Sequence, residues 1–87
     1  MIFKFDENKS RSNKDKHGID FIEAQKLWDD SDRVEVQAHT VDKPRFVMIG
    51  KIGPEHWSAV ATYRDEKTRI ISVRRSRKEE TEIYEGQ

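Results

Sequence analysis

Residues 64–78 concentrate the chain's most reactive charge: Arg64, Lys67, Arg69, Arg74, Arg75, Arg77 and Lys78 against only Asp65 and Glu66. Arginine keeps its proton at any physiological pH and presents a planar fork that grips phosphate oxygens in pairs. Read as a strand, Arg69–Arg75 sends Arg69, Ile71, Val73 and Arg75 to one side and Ile70, Ser72 and Arg74 to the other. Either face then carries arginine. Arg64 ends the preceding strand, and a tight turn should bring it close to Arg69. Such a set would make a phosphate site. The same arginines could instead pair with Glu66, Glu79 or Glu80 and cover apolar surface with their stems. The pattern alone leaves both readings open.

Other residues offer weaker chemistry. Tyr63, beside Arg64, suits stacking on an exposed base, whereas Trp57 reads as core. His17, His39 and His56 could each move a proton near neutrality. Their wide spacing, the lack of a His-x-x-x-His motif and the absence of cysteine argue against a metal site. His17 also has a bland role open to it, as a cation at a helix C-terminus. Asp29-Asp30-Ser31-Asp32 lacks the glycine and glutamate of a calcium loop and reads as a solvated turn. No glycine-rich phosphate loop, Gly-x-Ser-x-Gly or paired-carboxylate motif is present, so enzyme classes built on them are disfavoured and no cofactor is implied.

The elements must place these groups with few apolar residues. The chain has 87 residues, 33% hydrophobic and 39% charged, which predicts one small domain over 1–87 with a modest core. Its net charge of zero is a sum of blocks. Residues 20–43 are acidic, 64–78 basic, and Glu79, Glu80, Glu82 and Glu85 follow with no base among them. A polyanion responds to the local block, within about 8–10 Å. No apolar run is long enough to span a membrane, and residues 1–18 carry alternating charge where a leader needs an apolar stretch. A cytoplasmic protein is expected.

Residues 2–5 read as a short strand. Asp6 can cap a helix to His17, with Gly18 just past its end. That helix has no apolar side chain, so its surface is either unstable or in use. Asp20–Glu23 has capping-box spacing ahead of an amphipathic helix carrying Phe21, Ala24, Leu27 and Trp28. The period then changes to two. Arg33–Ala38, Pro44–Lys51, His56–Arg64 and Thr68–Arg75 read as strands, and Ser76–Glu79 as a capping box for a last helix anchored by Ile83 and Tyr84. The fold class expected is α+β, with helices on one face of a four-stranded antiparallel meander and the other face left for a ligand.

Three blocks resemble a known family. They are Phe5–Lys9 with Asn13, Lys16–Ile19, Phe21 and Ala24; then Arg45-Phe46 with Ile49-Gly50; and then Tyr63-Arg64, Arg69–Ser76 and Tyr84-Glu85. The sequence is similar to the BrnT family of ribonuclease toxins from type II toxin–antitoxin systems. Trp is usual where Phe5 stands, and Ala where Val73 stands. The glycine common after the Tyr-x-Arg element is replaced by Asp65-Glu66-Lys67-Thr68, which alters the turn nearest the arginines.

The resemblance implies a RelE-like fold and a metal-independent endoribonuclease held inactive by a BrnA-like antitoxin, with any DNA contact made through that antitoxin. In RNA the 2′-hydroxyl is the nucleophile, so the protein need only position the chain, neutralise the phosphorane and move protons. On this reading Arg64, Arg74 and Arg75 bind phosphate and stabilise the transition state. Lys9, Lys16 and Arg69 guide the RNA, and His17, Lys51 and Tyr63 are the candidates for proton transfer. The alternative is a non-catalytic RNA- or protein-binding module using the same basic face.

Overall fold

The computed structural model describes residues 1–38 and 44–87; His39 lies outside them. Strand β1 (Phe3–Lys4) leads into helix α1 (Glu7–His17), then α2 (Phe21–Ala24), which tightens into a 3-10 turn over Gln25–Asp29. Four strands follow, β2 (Val34–Ala38), β3 (Arg45–Ile52), β4 (Glu55–Arg64) and β5 (Lys67–Arg75), before helix α3 (Lys78–Glu85). The class is α+β, but the sheet has five strands in the order β1-β5-β4-β3-β2. β2 to β5 pair antiparallel in succession. β1 adds in parallel to β5, with Phe3 opposite Thr68 and Lys4 opposite Arg69, so the sheet is mixed.

α1 solves its lack of apolar residues with polar anchors. Asp6 caps it, accepting from the backbone N–H groups of Asn8 and Lys9, and Gly18 closes it at φ +79°, a conformation that glycine adopts without strain. Ser10 and Asn13 are its buried residues. The Asn13 amide donates to the carbonyls of Ile19 (2.8 Å) and Val73 (2.9 Å), while its oxygen accepts from Val73 N–H at 3.1 Å. Beyond the short β1, the edge of β5 is therefore closed by a side chain. Ser10 Oγ accepts from Phe21 N–H at 2.9 Å and ties α1 to α2.

One face of the sheet holds the core. Phe46, Met48, Trp57, Ala59, Ala61, Ile70 and Val73 pack against Ile19, Phe21, Ala24, Leu27 and Trp28. Gly50 lets the 3-10 turn approach β3, since a Cβ there would lie 3.1 Å from Leu27 Cδ2. A β-bulge between Val60 and Ala61 of β4 skips Ile71 on β5 and shifts the alternation expected there. Arg69, Ser72 and Arg74 pair with Thr62, Val60 and Ser58 on the outer face, whereas Ile70, Val73 and Arg75 pair with Ala61, Ala59 and Trp57 on the core face.

α3 starts one residue later than the capping box suggests. Arg77 occupies the cap position and its N–H donates to Glu80 at 2.8 Å, while Ser76 Oγ is hydrogen-bonded to Ser58 Oγ at 2.8 Å. The helix covers one end of the outer face, where Ile49 and Ser58, cross-strand neighbours, are fully buried. Tyr84 is buried and Ile83 exposed. Toward the β4–β5 turn the outer face is uncovered, and Val36, Val47 and Val60 form a half-buried row across it.

Candidate phosphate-binding cleft

On the uncovered face, Lys9, Arg45, Thr62, Arg64, Arg69 and Ile71 line a cleft of about 300 Å³. Each element supplies its residue for a local reason. α1 runs along the sheet edge and turns Lys9 over it. Arg69 and Thr62 are register partners, and Arg64 follows two residues after Thr62 on the same face. Arg45, at the start of β3, enters beside Thr62, whose hydroxyl donates to the Pro44 carbonyl at 2.6 Å. A second hollow, lined by Lys4, Arg64, Asp65, Lys67 and Arg69, shares two arginines with the first. Among the described residues, none of Lys4, Lys9, Arg45, Arg64, Lys67 and Arg69 makes an ion pair within 4.0 Å. Asp6 approaches from the rim. Its carboxyl is held below its usual range, first by the Lys9 backbone N–H, with the Lys9 and Arg69 charges adding to the effect.

The turn beneath the cleft is strained. Asp65 and Glu66 form a two-residue connection with φ of +52° and +64°. Such turns favour glycine and asparagine, and neither stands here.

The three arginines expected to act together are not brought together. Arg64 lies opposite Lys67 at the turn end, and Arg74 lies opposite Ser58, six residues back along β4. That is about 20 Å at ~3.3 Å per residue. Arg74 is held by Glu80 in a bidentate pair, Nη1 to Oε1 at 2.6 Å and Nη2 to Oε2 at 2.8 Å. Burial alone would raise the Glu80 carboxyl, but Arg74, the Arg77 N–H and the Ser58 hydroxyl bring it down to about 2. Arg75 is on the core face, 2.9 Å from Glu55 and 5.4 Å above the Trp57 ring.

The remaining candidates also lie elsewhere. His17 and Lys16 are exposed at the far end of α1. Lys51 sits near Asp30, whose carboxylate accepts from the Lys51 backbone N–H at 2.8 Å. Tyr63 is on the core face, stacked on Phe46 with ring centroids 4.4 Å apart, and its hydroxyl donates to Glu35 at 2.6 Å. Burial and that carboxylate push the phenol up to about 12, so at neutral pH it is a donor and no base. Of the expected site residues, Arg64, Arg69 and Lys9 meet. Arg45, named only among the blocks of resemblance, was not expected in the site because it stands alone at the head of the apolar run Phe46–Ile49. Its place opposite the Thr62 end of β4 follows only from the register.

Among the described residues no group of three or more His, Asp or Glu side chains could hold a metal ion. No helix there is long and apolar enough to cross a membrane.

Residues 5–80 fit the family described as "Ribonuclease toxin, BrnT, of type II toxin-antitoxin system". No curated protein matches the sequence.

Proposed function

Because the chain belongs to the BrnT family of ribonuclease toxins of type II toxin–antitoxin systems, we propose that it is a metal-independent endoribonuclease acting at the cleft of Lys9, Arg45, Arg64 and Arg69. The observation that carries this conclusion is the gathering of these four cations around one concave surface with no ion-pair partner among the described residues. Four charges of one sign remain close together only at a cost in mutual repulsion, which an anion relieves.

The chemistry follows from the donor set. Arg64 and Arg69 flank the phosphodiester and hold its non-bridging oxygens, and Arg45 and Lys9 take the flanking phosphates. The 2′-oxygen loses its proton and bonds to phosphorus, giving a phosphorane with a second negative charge. The P–O5′ bond then breaks, leaving a 2′,3′-cyclic phosphate and a 5′-oxygen that takes up a proton. Fixed guanidinium groups stabilise the phosphorane's charge without reorganising, and removing one such donor typically costs about 10²–10³-fold in rate. Proton transfer would fall to Asp65, which lines the adjoining hollow, or to water. The RelE-like architecture belongs to the same reading. So does a BrnA-like antitoxin whose acidic and apolar segment covers the cleft and the neighbouring valine row.

One observation favours the second reading, an RNA-binding module without catalysis: the cleft itself is lined by no histidine or carboxylate. Induced expression in a bacterium separates the two. The enzyme arrests growth and degrades cellular RNA, and Arg64→Ala abolishes both. Harmless accumulation of a folded protein that still binds RNA would replace the enzyme by the module.

A further inference from the structure

Tyr63 and Arg64 are consecutive, so β4 sends them to opposite faces at the same end of the sheet. Behind the arginine cleft, on the core face, lies a pocket of about 360 Å³ whose walls include Trp28, Arg33, Glu35, Met48 and Tyr63. Tyr63 is 50% exposed although one side of its ring is stacked on Phe46, which is only 2% exposed. The other side is thus a flat aromatic surface braced from below. The hydroxyl bond to Glu35 fixes its angle. Glu35 uses one oxygen for that bond, and its second has no protein partner among the described residues. A carboxylate there repels phosphate but accepts from an amino group or a ring N–H.

We infer that this pocket receives an unpaired nucleobase of the RNA, stacked on Tyr63 and read through its N–H groups by Glu35. The strand would pass around the β4–β5 turn, its phosphate on Arg64 and its base behind. This assignment rests on the reading of the chain as an RNA-acting protein, and it makes Tyr63 a binding residue that selects the base.

The probe is a single-stranded oligouridylate carrying one 2-aminopurine, with 2′-O-methyl groups throughout so that no nucleophile is present. Stacking quenches 2-aminopurine. Quenching is expected with the wild-type protein and with Tyr63→Phe. Tyr63→Leu, which still covers Phe46 but has no flat ring, should leave the probe bright and weaken binding about 5- to 100-fold. Its thermal midpoint is measured alongside. Glu35→Ala, an exposed substitution outside the core, should erase the preference for 2-aminopurine over purine, which lacks the amino group. Arg64→Ala should weaken binding yet retain full quenching at saturation. Equal affinity and quenching in Tyr63→Leu, or the same purine preference in Glu35→Ala, would overturn the base pocket while leaving the arginine cleft standing. So would normal RNA binding by Tyr63→Leu with loss of a protein partner. No binding by the wild type at low salt would remove both.

Discussion

The carboxamide of Asn13 does for β5 what a neighbouring strand would do. It satisfies both polar groups of Val73 and binds the Ile19 carbonyl as well. Asn13→Ala should leave these three groups without their partner, at about 1–3 kcal/mol each where burial persists. We therefore expect a loss of at least ~2 kcal/mol in urea unfolding; an unchanged midpoint would show that α1 is not anchored this way. Glu66 makes the opposite case. At φ +64° it holds a conformation that disfavours side chains by about 1–2 kcal/mol. Glu66→Gly should raise the thermal midpoint by a few degrees, and a fall would show that the turn is not strained.

Residue types disclosed the chemistry on offer and named Glu80 as one of three acids that could pair with the arginines, but not which arginine it would take. The arginines at 64, 69, 74 and 75 offered guanidinium groups able to grip phosphate, with nothing in their spacing to say which would stay unpaired. That Arg74 is taken by Glu80 depends on how α3 folds back, which no spacing reveals. Asn13 gave no apolar signal at all.

Among the elements, α3 is held by polar links more than by apolar contact. Glu80 bonds Arg74, Ser58 and its own cap, His56 and Glu85 lie 2.6 Å apart, and the Tyr84 hydroxyl donates to Asp30 at 2.8 Å. The Glu80 carboxyl sits at about 2 in the folded protein against 4.5 for a free side chain. A folded value below the unfolded one stabilises at pH above the unfolded value and is lost as pH falls toward the folded one. Amide exchange across Lys78–Glu85, corrected for intrinsic rates, should therefore show α3 losing protection between pH 4.5 and 2 before the sheet does. In Glu80→Gln that pH dependence should flatten. Equal loss of protection in helix and sheet would contradict this.

The long strands and capped helices were legible because period and cap chemistry are local. β1 was visible as a strand but not as a parallel partner of β5, since two residues carry no register. The bulge at Ile71 was invisible for the same reason, yet it decides which arginines share a face. The apolar period of the second helix runs through Trp28, but after Ala24 the helix tightens to 3-10 where Leu27 packs over Gly50.

For the molecule as a whole, zero net charge conceals a partition. The acids of α3 neutralise the Arg74 end of the sheet and leave the Arg64 end cationic. Binding of single-stranded RNA should weaken with salt by a log–log slope of about −0.7 per phosphate neutralised, giving roughly −2 to −3 if four cations engage. Arg45→Ala and Lys9→Ala should each make the slope shallower. An unchanged slope in both would place the RNA elsewhere. The most direct test is single-turnover cleavage of a single-stranded RNA by the purified protein and its Arg64→Ala, Arg69→Ala and Arg75→Ala variants, each shown to be folded. Loss of about 10²-fold or more in the first two, with Arg75→Ala within a few-fold of wild type, is the predicted result. Full activity without Arg64 and Arg69, or loss only without Arg75, would contradict the cleft as the catalytic site.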